Sequence, residues 1–287
     1  MVNIYDNTLD NPNYYRQFSC GESLITLYNC PLKNKYQDVW CQHNYFIYVI
    51  EGTKRWHTAQ GTFELTENTC VFVRKGAAIS EQLSDDKFCL VMFFVPDDFI
   101  CEVLKSKTSP IYRSDETFHT VMPIINDNYV QAFFKSIMHF FEARYEPEKA
   151  LLELKFRELI LTVAGNLNNR EMLAYFGALL HEPQAISLQK VMESNYCYNL
   201  KLEAYAKLVN RSLSAFKRDF RKQFDTTPGK WLLEKRLIHA RNLLVNTNKT
   251  VSEAAFESGF ESVSHFSRAF RGRFGLTPIS VKNPVFA

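Results

Sequence analysis

The chain has 287 residues, 46% of them hydrophobic, and carries 34 Lys and Arg against 31 Asp and Glu; that is long enough for two domains with cores of their own. The near-balance hides an asymmetry: residues 184–287 hold 17 basic against 8 acidic side chains, a balance of +9, which leaves −6 for residues 1–183. A basic part joined to an acidic part predicts a nucleic-acid-binding module beside one that does not bind nucleic acid. Seven scattered cysteines (Cys20, Cys30, Cys41, Cys70, Cys89, Cys101, Cys197) with no Cys-x-x-Cys speak against a disulfide framework or structural zinc and for a reducing cytoplasmic setting.

The opening Met1–Asp6 has neither a basic region nor an apolar core, so no signal peptide is expected. From Tyr45 to Gly52 the chain reads as an aromatic, β-branched strand stopped by glycine. Gly61–Leu65 alternates like a half-buried strand, Thr69–Val73 follows, and Phe88–Val95 closes the series. Strands at this spacing predict a small barrel or sandwich. Phe88–Val95 is also the longest apolar run, too short to span a bilayer as a helix, so no membrane partner is expected. Phe46, Tyr48, Phe63, Phe72 and Phe93 are placed on the barrel interior, either as a filled core or as the lining of a pocket for a small apolar effector.

A metal-dependent barrel enzyme would need clustered histidines. His43 and His57 stand fourteen apart, and the next histidine is His119, so neither a metal nor another cofactor is expected. No Gly-x-Ser-x-Gly, glycine-rich phosphate loop or His-Glu-x-x-His is present. Catalysis is not expected.

Beyond the strands, Asp127 caps a predicted helix through Tyr129, Phe133, Ile137, Phe140 and Phe141 to Tyr145, ended by Pro147. A second runs from Glu148 to Ala164 with Leu152, Phe156, Leu159 and Val163 on one face. That spacing suits packing within the domain as well as a seam between two copies. The pattern lapses at His181-Glu182-Pro183, where the linker is placed.

Then a motif appears twice. Leu202–Leu208 is a short alanine-containing helix candidate; Asn210–Phe224 follows with Phe216, Phe220 and Phe224 four apart, and Lys217, Arg218 and Arg221 on the other face. Val251–Phe256 and Gly259–Phe274 repeat it: Phe266, Phe270 and Phe274 on one face, with Ser264, His265, Arg268, Arg271 and Arg273 on the other. Ser212 and Ser262 occupy matching cap positions, and both copies end alike, in Thr226-Thr227-Pro228 and Leu276-Thr277-Pro278. This is a duplicated helix-turn-helix. Between the copies, Thr227-Pro228 starts a helix whose apolar stripe is Trp231, Leu232, Leu233, Leu237, Ile238, Ala240, Leu243 and Leu244, running to Asn246. About eighteen helical residues span about 27 Å, and with a small domain at each end they suit major-groove faces roughly 34 Å apart. Thr250-Val251-Ser252-Glu253 restarts the chain with a capping box.

Residues 185–282 resemble the AraC/XylS family of bacterial transcription regulators. The glycine-phenylalanine ahead of the second recognition helix, the Phe-Ser-Arg-Ala-Phe-Arg core and the Phe-Gly-Leu-Thr-Pro ending carry the likeness. Three positions depart from the family pattern: Asp225 where glycine is usual, Lys201 where a small hydroxyl caps the first helix, and Val281 where an aromatic is common. The resemblance implies that Ser214, Lys217 and Arg218 read bases in one major groove and Val263, Ser264, His265 and Arg268 in the next, Val263 through a thymine methyl. Ser212, Arg221, Ser262, Arg271 and Arg273 would hold phosphates. The glycine rhythm of the N-terminal strands resembles the family's cupin-like sensing domain, and most of all the activators governed by a protein partner, notably in type III secretion.

The expected architecture is therefore α+β. Residues 1–181 form a regulatory domain, with a cupin-like β-barrel or sandwich at about 10–100 and helices at about 126–181. Residues 184–287 form an all-α DNA-binding domain, with helix-turn-helix motifs at about 201–224 and 250–274 joined by a long helix. The resemblance implies a cytoplasmic activator of transcription whose partners are double-stranded DNA, RNA polymerase, a second copy met through helices about 128–164, and either a small apolar effector or a regulatory protein at the N-terminal domain.

Overall fold

The computed structural model describes residues 1–29, 35–83, 88–113, 117–143, 146–181 and 188–282. The chain divides into two compact units, Met1–Ile186 and Ser187–Ala287.

The described elements of the first unit are, in order, β1 (Val2–Asn3), α1 (Ile4–Asp10), β2 (Arg16–Cys20), β3 (Ser23–Asn29), β4 (Tyr36–Cys41), β5 (Asn44–Glu51), β6 (Lys54–Thr58), β7 (Gly61–Leu65), β8 (Cys70–Val73), β9 (Gly76–Gln82), β10 (Cys89–Val95), α2 (Asp97–Lys105), β11 (Val121–Ile124), α3 (Asn128–Glu142), α4 (Lys149–Gly165) and α5 (Arg170–His181). The strands form one sheet in the order β1-β4-β9-β6-β7 and a second in the order β11-β8-β5-β10-β3-β2. Apart from the parallel β1–β4 contact the described pairings are antiparallel.

The sheets pack face to face over a core of Leu24, Tyr45, Ile47, Val49, Leu90, Met92 and Phe94 from one and Val39, Cys41, Trp56, Leu65 and Ala78 from the other. This is a β-sandwich. The second sheet is buried on its outer face as well. Phe46, Phe72 and Phe93 point away from the sandwich interior and into the helices: Phe93 lies 5.5 Å from both Phe133 and Phe156, Phe72 lies 5.5 Å from Phe176, and Tyr48 stacks on Phe134 at 4.3 Å. These residues therefore do not line a barrel interior. Of the five aromatics placed there from the sequence, Phe63 alone packs against the core between the sheets. The physical reason is visible in β5 and β10, which are apolar at consecutive positions; that pattern marks a strand covered on both faces. Between the sheets a cavity of about 30 Å³ is lined by Lys54, Trp56, Ser80, Leu90 and Met92 among others.

Asp127 caps α3 as the sequence suggests, its carboxylate accepting from the N–H groups of Tyr129 and Val130 at 3.0 and 3.1 Å. Tyr145, where that helix was expected to end, and residues 182–183 of the proposed linker lie outside the described residues. On α4, Leu152, Phe156, Leu159 and Val163 face the core, while Leu151, Leu154 and Leu161 stay exposed on another face. His57 bonds Glu81 (2.8 Å) and Thr62 (2.9 Å) on the first sheet, and burial lowers the His43 pKa. Among the described residues no three His, Cys, Asp or Glu side chains gather to hold a metal ion. No helix among them is long and apolar enough to cross a membrane.

The second unit is helical: α6 (Leu188–Asn195), α7 (Leu202–Leu208), α8 (Leu213–Phe224), α9 (Pro228–Asn246), α10 (Val251–Glu257), α11 (Val263–Phe274) and α12 (Pro278–Lys282). Helices α7–α8 and α10–α11 are the two helix-turn-helix copies, joined by α9. Its buried stripe is narrower than the sequence suggests: Leu232, Leu237, Ala240 and Leu244 are buried, but Leu233 and Ile238 are exposed.

Candidate nucleic-acid interface

Each recognition helix is built by the same local chemistry. The Ser212 hydroxyl accepts from the Ala215 N–H at 3.3 Å to start α8, and the Ser262 hydroxyl accepts from the His265 N–H at 3.4 Å to start α11. The Ser262 hydroxyl keeps its own proton to donate, while that of Ser212 also shares a hydrogen bond with the Ser214 hydroxyl at 3.1 Å. Phe216 and Phe220 are fully buried under α8, as are Phe266 and Phe270 under α11. Phe224 stacks on Phe220 at 4.5 Å, and Phe274 lies 4.6 Å from Phe270. Spacing by four stacks these rings on one side of each helix and turns everything between them outward.

The outward sets match the sequence expectation in part. Ser214, Lys217, Arg218 and Arg221 are exposed on α8, and Ser264, His265, Arg268 and Arg271 on α11. Lys217, Arg221, Arg268 and Arg271 make no ion pair with any described residue, so four cations stand available to an incoming anion. Arg218 meets Asp219 at 3.1 Å, a contact in which the arginine is 76% exposed and which competes weakly with a phosphate or a base.

Two further residues have close partners within the unit. Val263 is half-buried and packs against the core of the second copy. Arg273 is engaged: its Nε donates to Glu234 on α9 at 2.8–2.9 Å and its Nη2 lies 2.7 Å from the same carboxylate. That hydrogen bonding lowers the Glu234 pKa and raises that of Arg273. Arg273 thus links α11 to α9 through an ion pair whose side chains are 50% and 40% exposed, so a phosphate can compete for it.

Sequence reasoning passed over Arg236, which lies among the apolar residues of α9. Its Nε donates to the carbonyl of Tyr196 and its Nη2 to that of Tyr198, both at 2.7 Å. The signal was a cation inside an apolar stripe, where a long side chain needs acceptors to be half-buried.

The geometry is that of two helix-turn-helices presenting unpaired cations, and the sequence profiles agree. The profile of the ExsA N-terminal regulatory domain matches residues 44–175, and that of a helix-turn-helix domain matches residues 205–283. The chain is an AraC-family regulator. Its N-terminal unit is of the ExsA type and its C-terminal helix-turn-helix unit binds DNA; the AraC family is one of transcription regulators, not enzymes. This AraC-family chain is similar to the virulence regulon transcriptional activator VirF of Yersinia enterocolitica, at 27% identity over 80% of this chain and 85% of that one. It is 25% identical to the HTH-type transcriptional regulator ExsA of Pseudomonas aeruginosa, over 81% of this chain and 84% of that one. The C-terminal part is 35% identical to the regulator GbdR of the same species, over 34% of this chain and 27% of that one.

Proposed function

We propose that this protein activates transcription by docking α8 and α11 in successive major grooves of a promoter, under control of its N-terminal unit. The observation that carries the docking is the set of unpaired cations on two equivalent helices, together with the 19-residue α9 between them. That helix is about 28 Å long, of the order of the roughly 34 Å between groove faces. Base reading falls to Ser214, Lys217 and Arg218 on one helix and to Ser264, His265 and Arg268 on the other. Val263 adds at most its exposed edge to a thymine methyl. Arg221 and Arg271 hold phosphates, with the Ser212 and Ser262 hydroxyls donating beside them, and Arg273 joins them only by leaving Glu234. Activation is supported by the name of the relative VirF and implies contact with RNA polymerase; the setting is the cytoplasm.

For the input, the narrow interior of the sandwich favours a regulatory protein over a small effector. Ligand pockets usually offer about 300–1,000 Å³, against the 30 Å³ between these sheets. A cavity of about 330 Å³ beside Ile111, Tyr112, Leu167 and Leu173 lies outside the sandwich and is the place a small effector would have to use. Self-association through α3 and α4 is supported by the exposed Leu151, Leu154 and Leu161.

Selecting bound sites from random duplexes tests the docking. Two conserved boxes about one helical turn apart are expected, and a single box would sink the two-groove reading. On the selected site Arg271→Ala should flatten the dependence of affinity on salt by close to one counterion. A wild-type slope would remove Arg271 from the phosphate set. Titration with small apolar compounds should leave the melting temperature unmoved; a saturable rise would restore the effector.

A further inference from the structure

We propose that Arg236 is the positioning residue that fixes the phase between the two recognition helices, by clamping the lead-in of the first helix-turn-helix onto the turn of the second. This rests on the two-groove reading and says what holds the two readers in register.

Three pieces of chain meet at this arginine. Residues 196–200 lead from α6 into α7, and their Tyr196 and Tyr198 carbonyls receive the two guanidinium bonds. The fork shape of arginine suits this task, because two donors in one plane fix the angle of the acceptors as well as their distance. The carbonyl between those two belongs to Cys197, and it lies against Gly259, in the turn of the second copy. A Cβ on Gly259 would fall 2.8 Å from the Cys197 oxygen and 3.0 Å from the Arg236 Nε. Gly259 also has φ +84°, so glycine is required there by both conformation and close approach. One residue further on, the Asn199 side chain donates to Glu261 in the same turn. Burial raises the pKa of Cys197 to about 11, in keeping with a closed junction.

The first copy is tied to the same point from inside. Tyr205 of α7 is fully buried and donates its hydroxyl to the Asn195 carbonyl at 2.7 Å. Beside the junction the two copies part: a groove of about 640 Å³ runs between Lys201 and Leu202 on one side and Ser262 and His265 on the other, with Arg236 in its lining. With so much open space between the copies, their alignment depends on α9 and on this clamp. A rigid pair of readers meets both boxes at no further ordering cost, while a loosened pair must be aligned at each binding event.

The test compares wild type, Arg236→Lys and Gly259→Ala on the selected two-box duplex, on the same duplex with one base pair inserted between the boxes, and on a single-box duplex. One base pair shifts a groove face by about 3.4 Å and turns it by about 35°. Wild type is expected to lose about a hundredfold in affinity on the insertion, the loss of one helix's base contacts. Each variant is expected to lose about tenfold at the native spacing, to suffer less than about tenfold from the insertion, and to hold the single box as wild type does. Variants that melt as wild type does yet keep the full insertion penalty would overturn the proposal alone. A wild type indifferent to the insertion would overturn the two-groove reading and the clamp with it. Collapse of the fold in both variants would also overturn the clamp, since the junction would then hold the fold and not the phase.

Discussion

In the second helix-turn-helix copy, α10 opens on Thr250 with a reciprocal capping box to Glu253, and α11 closes on Gly275 at φ 74°. The matching positions in the first copy are Lys201, whose side chain caps nothing, and Asp225, held in the left-handed region at φ 50°. The turns differ too. From Ala255 to Ser262 the chain is one residue longer than from Ala206 to Ser212, and the extra length buries Phe260 in the core of the second copy. Both copies keep the same phenylalanine ladder. The contrast teaches that the ladder defines the reader, while caps and turns set how firmly it is held. The first copy is the softer of the two.

The largest test addresses what they share. Phe216→Ala and Phe266→Ala remove equivalent, fully buried rings, and each should cost about 3–5 kcal/mol in denaturant unfolding. A loss under about 1 kcal/mol at either would end the claim that the ladders are equivalent. Next, Arg268→Ala should cost about 1–3 kcal/mol on the selected site and relax one base position, with Lys217→Ala acting on the other box. Unchanged specificity in either variant would show that its helix does not read bases through that residue.

The capping contrast predicts a smaller pair of opposite effects. Thr250→Ala should destabilise by about 1 kcal/mol, and Lys201→Thr should stabilise by a similar amount. Equal responses to both changes would show that the caps do not distinguish the copies. The Thr250 backbone N–H lowers the Glu253 pKa below its ordinary 4.5. The box therefore contributes fully above that value and is lost as the pH falls through the lowered one. Amide protection at the start of α10, taken relative to the intrinsic exchange rate at each pH, should fall on acidification through that window, whereas α7, lacking a box, should lose no comparable protection. Smallest of all, Asp225→Gly should raise stability by a few tenths to about 1 kcal/mol, while Gly275→Asp should lower it by a similar amount.

The helix-turn-helix unit was legible because local signals sufficed: fourfold phenylalanines, Ser212, Ser262, Thr227-Pro228 and Thr250 each state their role within a few residues. Strands β5, β8 and β10 were legible by their β-branched and aromatic runs, and β7 by its alternation. Strand β9 was not, because Ser80, Glu81 and Gln82 are buried polar residues with no apolar alternation. Strand β4 hid for another reason: its first three residues are exposed. The facing of Phe46, Phe72 and Phe93 was lost because a strand apolar on both sides does not say which side meets which layer. At the site, Arg273 and Arg236 look like any other basic residues in one dimension. Glu234 and the carbonyls of Tyr196 and Tyr198, thirty-eight to forty residues away, decide what they do.

The outer face of the second sheet, covered by α3, α4 and α5, makes the N-terminal unit indivisible. Cutting the chain after α2 would expose Phe46, Phe72 and Phe93 together, and a bared aromatic sheet of that kind drives molecules to aggregate. A chimaera that borrowed only the sandwich, or only the helices, from a relative would have to match this aromatic seam ring for ring. In evolution the two layers should exchange as a single cassette, never separately.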